Sequence, residues 1–360
     1  MYDQNYRHNI SIRNALEKIY MDYNGDKSSD DWKKFETYLK RIWFSNGIHH
    51  HYSNDKFEPG FSVEFLEKLL NESNAELNKE AFEVIFNDED SKKVNLDASK
   101  GLIKGSAVNF YGPDVTTEDV DFYYSEIKKV PNPKKPISLG LNSKLVKENG
   151  KLVEKVWKLG GMYNEEIKNI IYWLSKASEV AENEKQKEGF ELLIKYYETG
   201  DLSIWDQYNV AWVETVEGDV DYINGFIEVY NDPKGYRGSY ESVVQIKDFE
   251  MSKKMDALSE NAQWFEDNSP IMEKHKKNNV VGISYNTVNV ASEAGDASPS
   301  TPIGINLPNA NWIRVTHGSK SISLGNILYA YGNAGSSGRL NEFAFSQKEI
   351  DLEIKHGENA

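Results

Sequence analysis

The chain has no cysteine in 360 residues. That excludes disulfides, thiolate metal sites and a cysteine nucleophile. It leaves the compartment open, because a disulfide-free protein can live in cytosol or periplasm. Positive charge is also short: 42 Lys and Arg stand against 57 Asp and Glu, a net charge of −15. Such a surface repels phosphate backbones and anionic headgroups, so neither nucleic acid nor a membrane is an expected partner. No apolar run approaches the roughly 20 residues that span a bilayer. The opening stretch "MYDQNYRHNISIRN" holds no apolar segment of a signal peptide. A cytoplasmic location is therefore expected, with a periplasmic one left open if further residues precede Met1.

Catalytic signatures are equally sparse. A zinc-peptidase helix carries two histidines four apart with a glutamate between them, so that both imidazoles meet one metal. No such pair occurs among the seven histidines. There is no G-x-S-x-G elbow. "GNAGSSGR" lacks the Gly-Lys-Ser/Thr ending of a phosphate loop. Glu353 and His356 share a helical spacing only in a polar terminal segment, "EIKHGENA".

Aromatic residues are plentiful: 12% of the chain, with 21 Tyr and 8 Trp. They either fill a core or wall a cleft for peptides or sugars. The first half has helical periodicity. Ile12, Leu16, Ile19 and Tyr23 fall at three- and four-residue spacing, and Trp32, Phe35, Leu39, Ile42 and Trp43 share one face. Ser29 or Asp30 is expected to cap that second helix, and Gly47 to follow its end. "SVEFLEKLLN", "KEAFEVIFN" and "TTEDVDFYYSEIKKV" repeat the pattern before Pro131, Pro133 and Pro136 break it. Two more helices are expected over 162–200, the first capped by Asn164. From about residue 209 the period changes: "NVAWVETVE", "VDYINGFIEVYND" and "GSYESVVQIKD" read as strands, with "DPKG" turning between two of them. Residues 248–278 return to helical composition and 279–293 to strand, as when a chain leaves one lobe, visits another and returns.

Two stretches attract attention. "NGIHHHY" places His49, His50 and His51 in a row. Neighbouring side chains diverge by about 100° on a helix and alternate faces on a strand, so adjacent histidines are poor ligands for one ion. His49 and His51 converge only if the segment is extended. "TPIGINLPNANWIR" packs two prolines, a glycine and three asparagines together. Asn306 and Asn309 each offer a donor and an acceptor that suit an extended peptide backbone, or simply satisfy their own turn.

Taken in order, "IWFSNGIHHHYSNDKF", "NGFIEVYNDPKGYRGSYESVV", "SENAQWFEDNSP" and "TPIGINLPNANWIR" resemble the dipeptidyl peptidase III family, in its bacterial branch. These are zinc exopeptidases that release dipeptides from peptide N-termini. The resemblance covers most of the chain and implies an α+β fold in two lobes, mainly helical, with a small antiparallel β-barrel in the peptide-binding lobe. It assigns 1–247 and 279–325 to the peptide-binding lobe, 248–278 to a helical excursion into the zinc lobe, and 326–360 to a truncated start of that lobe. The family's H-E-x-x-G-H motif is absent, so the zinc ligands and catalytic groups are expected in a missing C-terminal portion of the same enzyme. This chain alone is expected to be inactive. Carried over residue by residue, Asn306 and Asn309 hold the substrate's N-terminal end, with Pro302 and Gly304 supplying backbone. Asp221 meets the free amine of a short peptide. The family's cleft tyrosine falls at Ile223 in ungapped register, with Tyr222 one place away. Tyr52 and its neighbour His51 border the peptide beyond the scissile bond. A non-catalytic peptide-binding module is the alternative.

Overall fold

Four short and medium helices wrap one core at the N-terminal end: α2 (Asn9–Asp22), α3 (Asp30–Ser45), α4 (Val63–Glu72) and α5 (Lys79–Phe86), preceded by a single turn, α1 (Tyr2–Asn5). The structure is a computed structural model and describes residues 1–87, 92–127, 134–280, 283–300, 302–333 and 346–348. Pro131, Pro133, residues 334–339 of the "GNAGSSGR" segment, Glu353 and His356 lie outside these. The expected apolar stripes meet: Ile12, Leu16 and Ile19 pack with Trp32, Phe35, Leu39 and Ile42. Ser29 caps α3 by accepting from the Trp32 N–H. Asn46, at φ 52, takes the left-handed position after α3, and Gly47 follows. The glycine is required there. At φ +143 its side-chain space is filled by the Asn9 amide, 2.0 Å from where a Cβ would stand.

A second, larger core begins with α6 (Thr117–Ile127) and the hairpin β1 (Ser143–Glu148) and β2 (Lys151–Val156). Asn149 and Gly150, both at positive φ, turn that hairpin as such a pair commonly does. Then come α7 (Asn164–Glu179), α8 (Glu184–Thr199) and α9 (Leu202–Glu214). Two expectations fail here. Asn164 does not cap α7: Tyr163 holds that position, and the Asn164 Oδ1 accepts from the Gly160 N–H instead. "NVAWVETVE" is not a strand, because its first six residues finish α9. Trp205, Tyr208 and Trp212 fall at helical spacing and are buried together, which outweighs the strand preference of the valines.

The sheet follows: β3 (Val220–Glu228), β4 (Ser239–Lys247), then α10 (Phe249–Glu260) and α11 (Ala262–Asp267), β5 (Ile283–Gly295), α12 (Ala297–Ser300), β6 (Gly304–Leu307), α13 (Asn311–Thr316), β7 (Ser319–Leu324) and α14 (Gly325–Asn333). The helical interlude between β4 and β5 is present, and Asp232 and Gly235 close the expected turn between β3 and β4. Strand order is β3-β4-β5-β7-β6, antiparallel except for the β5–β7 pair. The expected closed antiparallel barrel is corrected on both counts. The fold is mixed α+β, and no ladder joins β3 to β6 among the described residues. Side chains reach across to β3 instead, Lys320 of β7 to Asp221 at 2.8 Å and Asn309, just after β6, to Glu228 at 3.3 Å. The sheet curls toward closure but remains open. No helix among the described residues is long and apolar enough to cross a membrane.

Candidate functional site

The curl leaves a cleft of about 920 Å³ between α9, β3 and the loop after β6. Trp205, Tyr208, Asn209 and Trp212 line it from α9, one turn apart. Ile223, Ile227 and Glu228 line it from β3, Tyr230 from the following turn, and Leu307, Pro308, Asn309 and Ala310 from the other edge. Gly225 lets the strand press close, since a Cβ there would stand 2.5 Å from the Trp205 ring. The cleft is apolar in depth and polar at one end. There the Asn309 amide donates to the Glu228 carboxylate at 3.3 Å.

Burial raises Glu228 above the usual carboxylate range, while its bonds to Asn309 and Tyr230 pull the other way. On the next strand, Glu241 is pushed up to about 8, chiefly by burial and then by Glu228. A carboxyl of that kind holds its proton at neutral pH until a cation arrives. Asp296 is raised by burial also, against the opposing pull of Lys93, and accepts from the Asn231 amide at 3.1 Å.

The sequence-derived residues are only partly assembled here. Asn309 lines the cleft. Asn306 lies on β6, exposed, opposite Ser321, on the sheet edge whose outer side has no partner strand among the described residues. Gly304 opens that strand, with the Ile322 carbonyl 3.2 Å from where a Cβ would stand, and Pro302 precedes it, half-buried.

Asp221 does not line the cleft. It is ion-paired with the buried Lys320 at 2.8 Å and accepts from the Trp212 indole at 3.0 Å, in a separate recess of about 30 Å³. Lys320 also lies over the Trp212 ring. The Asp221 charge is thus already answered within the fold. Tyr222 does not face the cleft either: it stacks on Phe190 at 4.3 Å, inside the core. Ile223 takes the cleft side of β3, and the tyrosine at the cleft edge is Tyr230, 78% exposed. Glu228 and Tyr230 are the residues the sequence alone did not single out, although both stand in the quoted "NGFIEVYND".

Tyr52 and His51 sit apart from the cleft lining. Tyr52 is 66% exposed and lies 4.2 Å from the His51 ring, which stacks on His50 at 4.8 Å. Burial first, then His50 and Lys93, lowers His51 to about 4. His49 points into the N-terminal core, edge-on to Tyr6. The end of α3 is tied to the sheet by the Asn46 amide on the Gly295 carbonyl, 2.9 Å. Lys93 is the link in charge, acting on both His51 and Asp296. Among the described residues no group of three or more His, Asp or Glu side chains converges as a metal seat.

The class is thus a mixed α+β protein with a curled open sheet and an apolar cleft ending in a carboxylate–amide pair. The profile of Peptidase family M49 matches residues 115–352, and the chain belongs to that family. It is 25% identical over 332 residues to human dipeptidyl peptidase 3, and 24% over 330 residues to that of Dictyostelium discoideum. Each match takes in 84% of this chain and 45% of the relative, so the chain spans about half the length of these curated relatives. The fold is shared with DPP III from Caldithrix abyssi, at a TM-score of 0.67 and 20% identity, over 98% of this chain and 56% of that one. The enzyme from Corallococcus sp. strain EGB gives 0.57 and 18% over 89% and 55%.

Proposed function

We propose that this chain is the peptide-binding part of an M49 peptidase which, in whole, releases dipeptides from peptide N-termini with the help of zinc. The observation that carries this reading is the Asn309–Glu228 pair at the polar end of the cleft. A carboxylate with an amide beside it takes an ammonium group through charge-assisted hydrogen bonds, and so measures substrate from its free end. In this reading Glu228 has the role first expected of Asp221. Asn306, on the open edge strand β6, holds the peptide backbone, which adds to the sheet as a further strand. Gly304 and Pro302 shape that edge, and Tyr52 with His51 borders the peptide beyond the scissile bond. Residues 1–247 and 279–325 form the peptide-binding lobe, and 248–278 with 326–360 belong to the other.

The described residues do not fit zinc. Around His51 stand the His50, Phe44 and Tyr52 rings and the Ser45 hydroxyl, no group of three or more His, Asp or Glu converges among the described residues, and the family's H-E-x-x-G-H motif does not occur in the sequence. This chain's part is therefore binding and orientation, which hold the second peptide bond in place for chemistry supplied elsewhere in the enzyme.

Isothermal titration of the chain with tetra-alanine tests the reading. Glu228→Gln and Asn309→Ala are each expected to weaken binding by about tenfold or more, the worth of a hydrogen bond to a charged group. Asp221→Asn is expected to leave it within about twofold. Loss of affinity only in the Asp221 variant would reverse the assignment.

A further inference from the structure

The β3–β4 register sets Asp221 directly opposite Gln245, so the two side chains share the concave face of the sheet that also carries Ile223. They lie at the end of that face remote from Glu228, on the order of 20 Å along β3. The recess they line holds about 30 Å³ and is bounded by Lys320 and Ile322 of β7, Val288 of β5 and the 215–219 connection after α9. Gln245 is 0% exposed, and neither its amide oxygen nor its amide nitrogen has a hydrogen-bond partner among the described residues. A native fold rarely leaves both ends of a buried amide unanswered, because each end forfeits its bonds to water with nothing in return.

The buried charges of the recess are already matched. The Lys320 ammonium, 2% exposed, lies 2.8 Å from the Asp221 Oδ2 and 4.3 Å over the Trp212 ring. Burial lowers Lys320, and Asp221 draws it back. Of the other charged residues lining the recess, Glu217 and Asp219 are exposed and Lys247 half-buried. An added cation would face the Lys320 ammonium, and an added anion the Asp221 carboxylate. A neutral ligand that both donates and accepts suits the Gln245 amide, and a water needs roughly 10–15 Å³ of such room. We propose that this recess is a hydration site, in which one or two water molecules bridge the Gln245 amide to the Asp221–Lys320 pair and let that pair stay ionised inside the sheet. Trp212 stands between this site and the cleft: its ring lines the cleft, while its N–H bonds Asp221. The hydration site therefore holds whether or not a peptide occupies the cleft.

Oxygen-17 relaxation dispersion of the water in a solution of the 360-residue chain counts waters held inside the protein. Gln245→Met keeps the length of the side chain and removes both polar atoms. The variant is expected to lose about one or two of the waters that the unaltered chain holds, with a cooperative urea transition showing that it is folded. The same count in both proteins would overturn the proposal. A crystal structure of the unaltered chain gives a second reading that needs no variant. Water density is expected within about 3.2 Å of both amide atoms of Gln245. An amide bonded to protein groups in a closed recess, or an ion identified there by anomalous scattering, would likewise overturn the assignment.

Discussion

Asp206 sits on α9 between residues that line the cleft, 7% exposed, and its Oδ1 is buried with no hydrogen-bond partner among the described residues. Burial, and secondarily the charge of Asp201, raises its carboxyl from 3.8 to about 7. The sign of the consequence is fixed. The unfolded chain ionises this group near pH 4 while the folded one holds the proton, so stability falls as pH rises from about 4 to 7 and is level above. At one to two kcal/mol per unit the loss reaches roughly 4 kcal/mol. Urea denaturation of Asp206→Asn beside the unaltered chain is expected to show a stability difference that moves in favour of the variant between pH 4 and 7. A difference independent of pH would contradict this. Single residues of this kind were not legible beforehand. With 57 acidic side chains in the sequence, nothing marked Asp206 or Glu228 apart from Asp221. Their roles depend on which partner each meets across the fold. Asn306 and Asn309 drew notice because a loop dense in Pro, Gly and Asn is rare, and of the two only Asn309 lines the cleft.

The junction of β3 with α9 is where element packing shapes the cleft. A Cβ on Gly225 would stand 2.5 Å from the Trp205 ring, an aromatic held by neighbours and unable to yield cheaply. Gly225→Ala is expected to cost about 1–3 kcal/mol by overpacking, read as a lower urea midpoint at unchanged slope. Helices α2 to α8 were readable from apolar spacing, because each buries one stripe against a local neighbour. The last turns of α9 were not, since Val, Ala and Trp suit either period until burial decides. The β1–β2 hairpin was overlooked although "NG" at 149–150 announces it. The open edge between β3 and β6 had no local signal at all: it depends on pairings between strands more than 75 residues apart in sequence.

Two cores share the molecule, one under α2–α5 and one from α6 onward, joined by few but specific bonds. Gln4 reaches the Gly238 carbonyl and the Tyr240 N–H, and Asp3 accepts from Tyr163 and Asn109. The histidine-rich turn that first suggested a metal hangs on this seam, with His49 facing the first core and His51 and Tyr52 facing outward. Supplied with zinc at neutral pH, the chain is expected to release no dipeptide from a chromogenic dipeptide amide above the buffer rate. Zinc-dependent release would place a metal seat within these 360 residues. The most direct test is calorimetry on the unaltered chain with tetra-alanine and its N-acetyl derivative. A free ammonium group bound at Glu228 and Asn309 is expected to make the unmodified peptide at least about tenfold tighter. Equal affinity for the two peptides, or none for either, would contradict a cleft that reads peptides from their N-terminus.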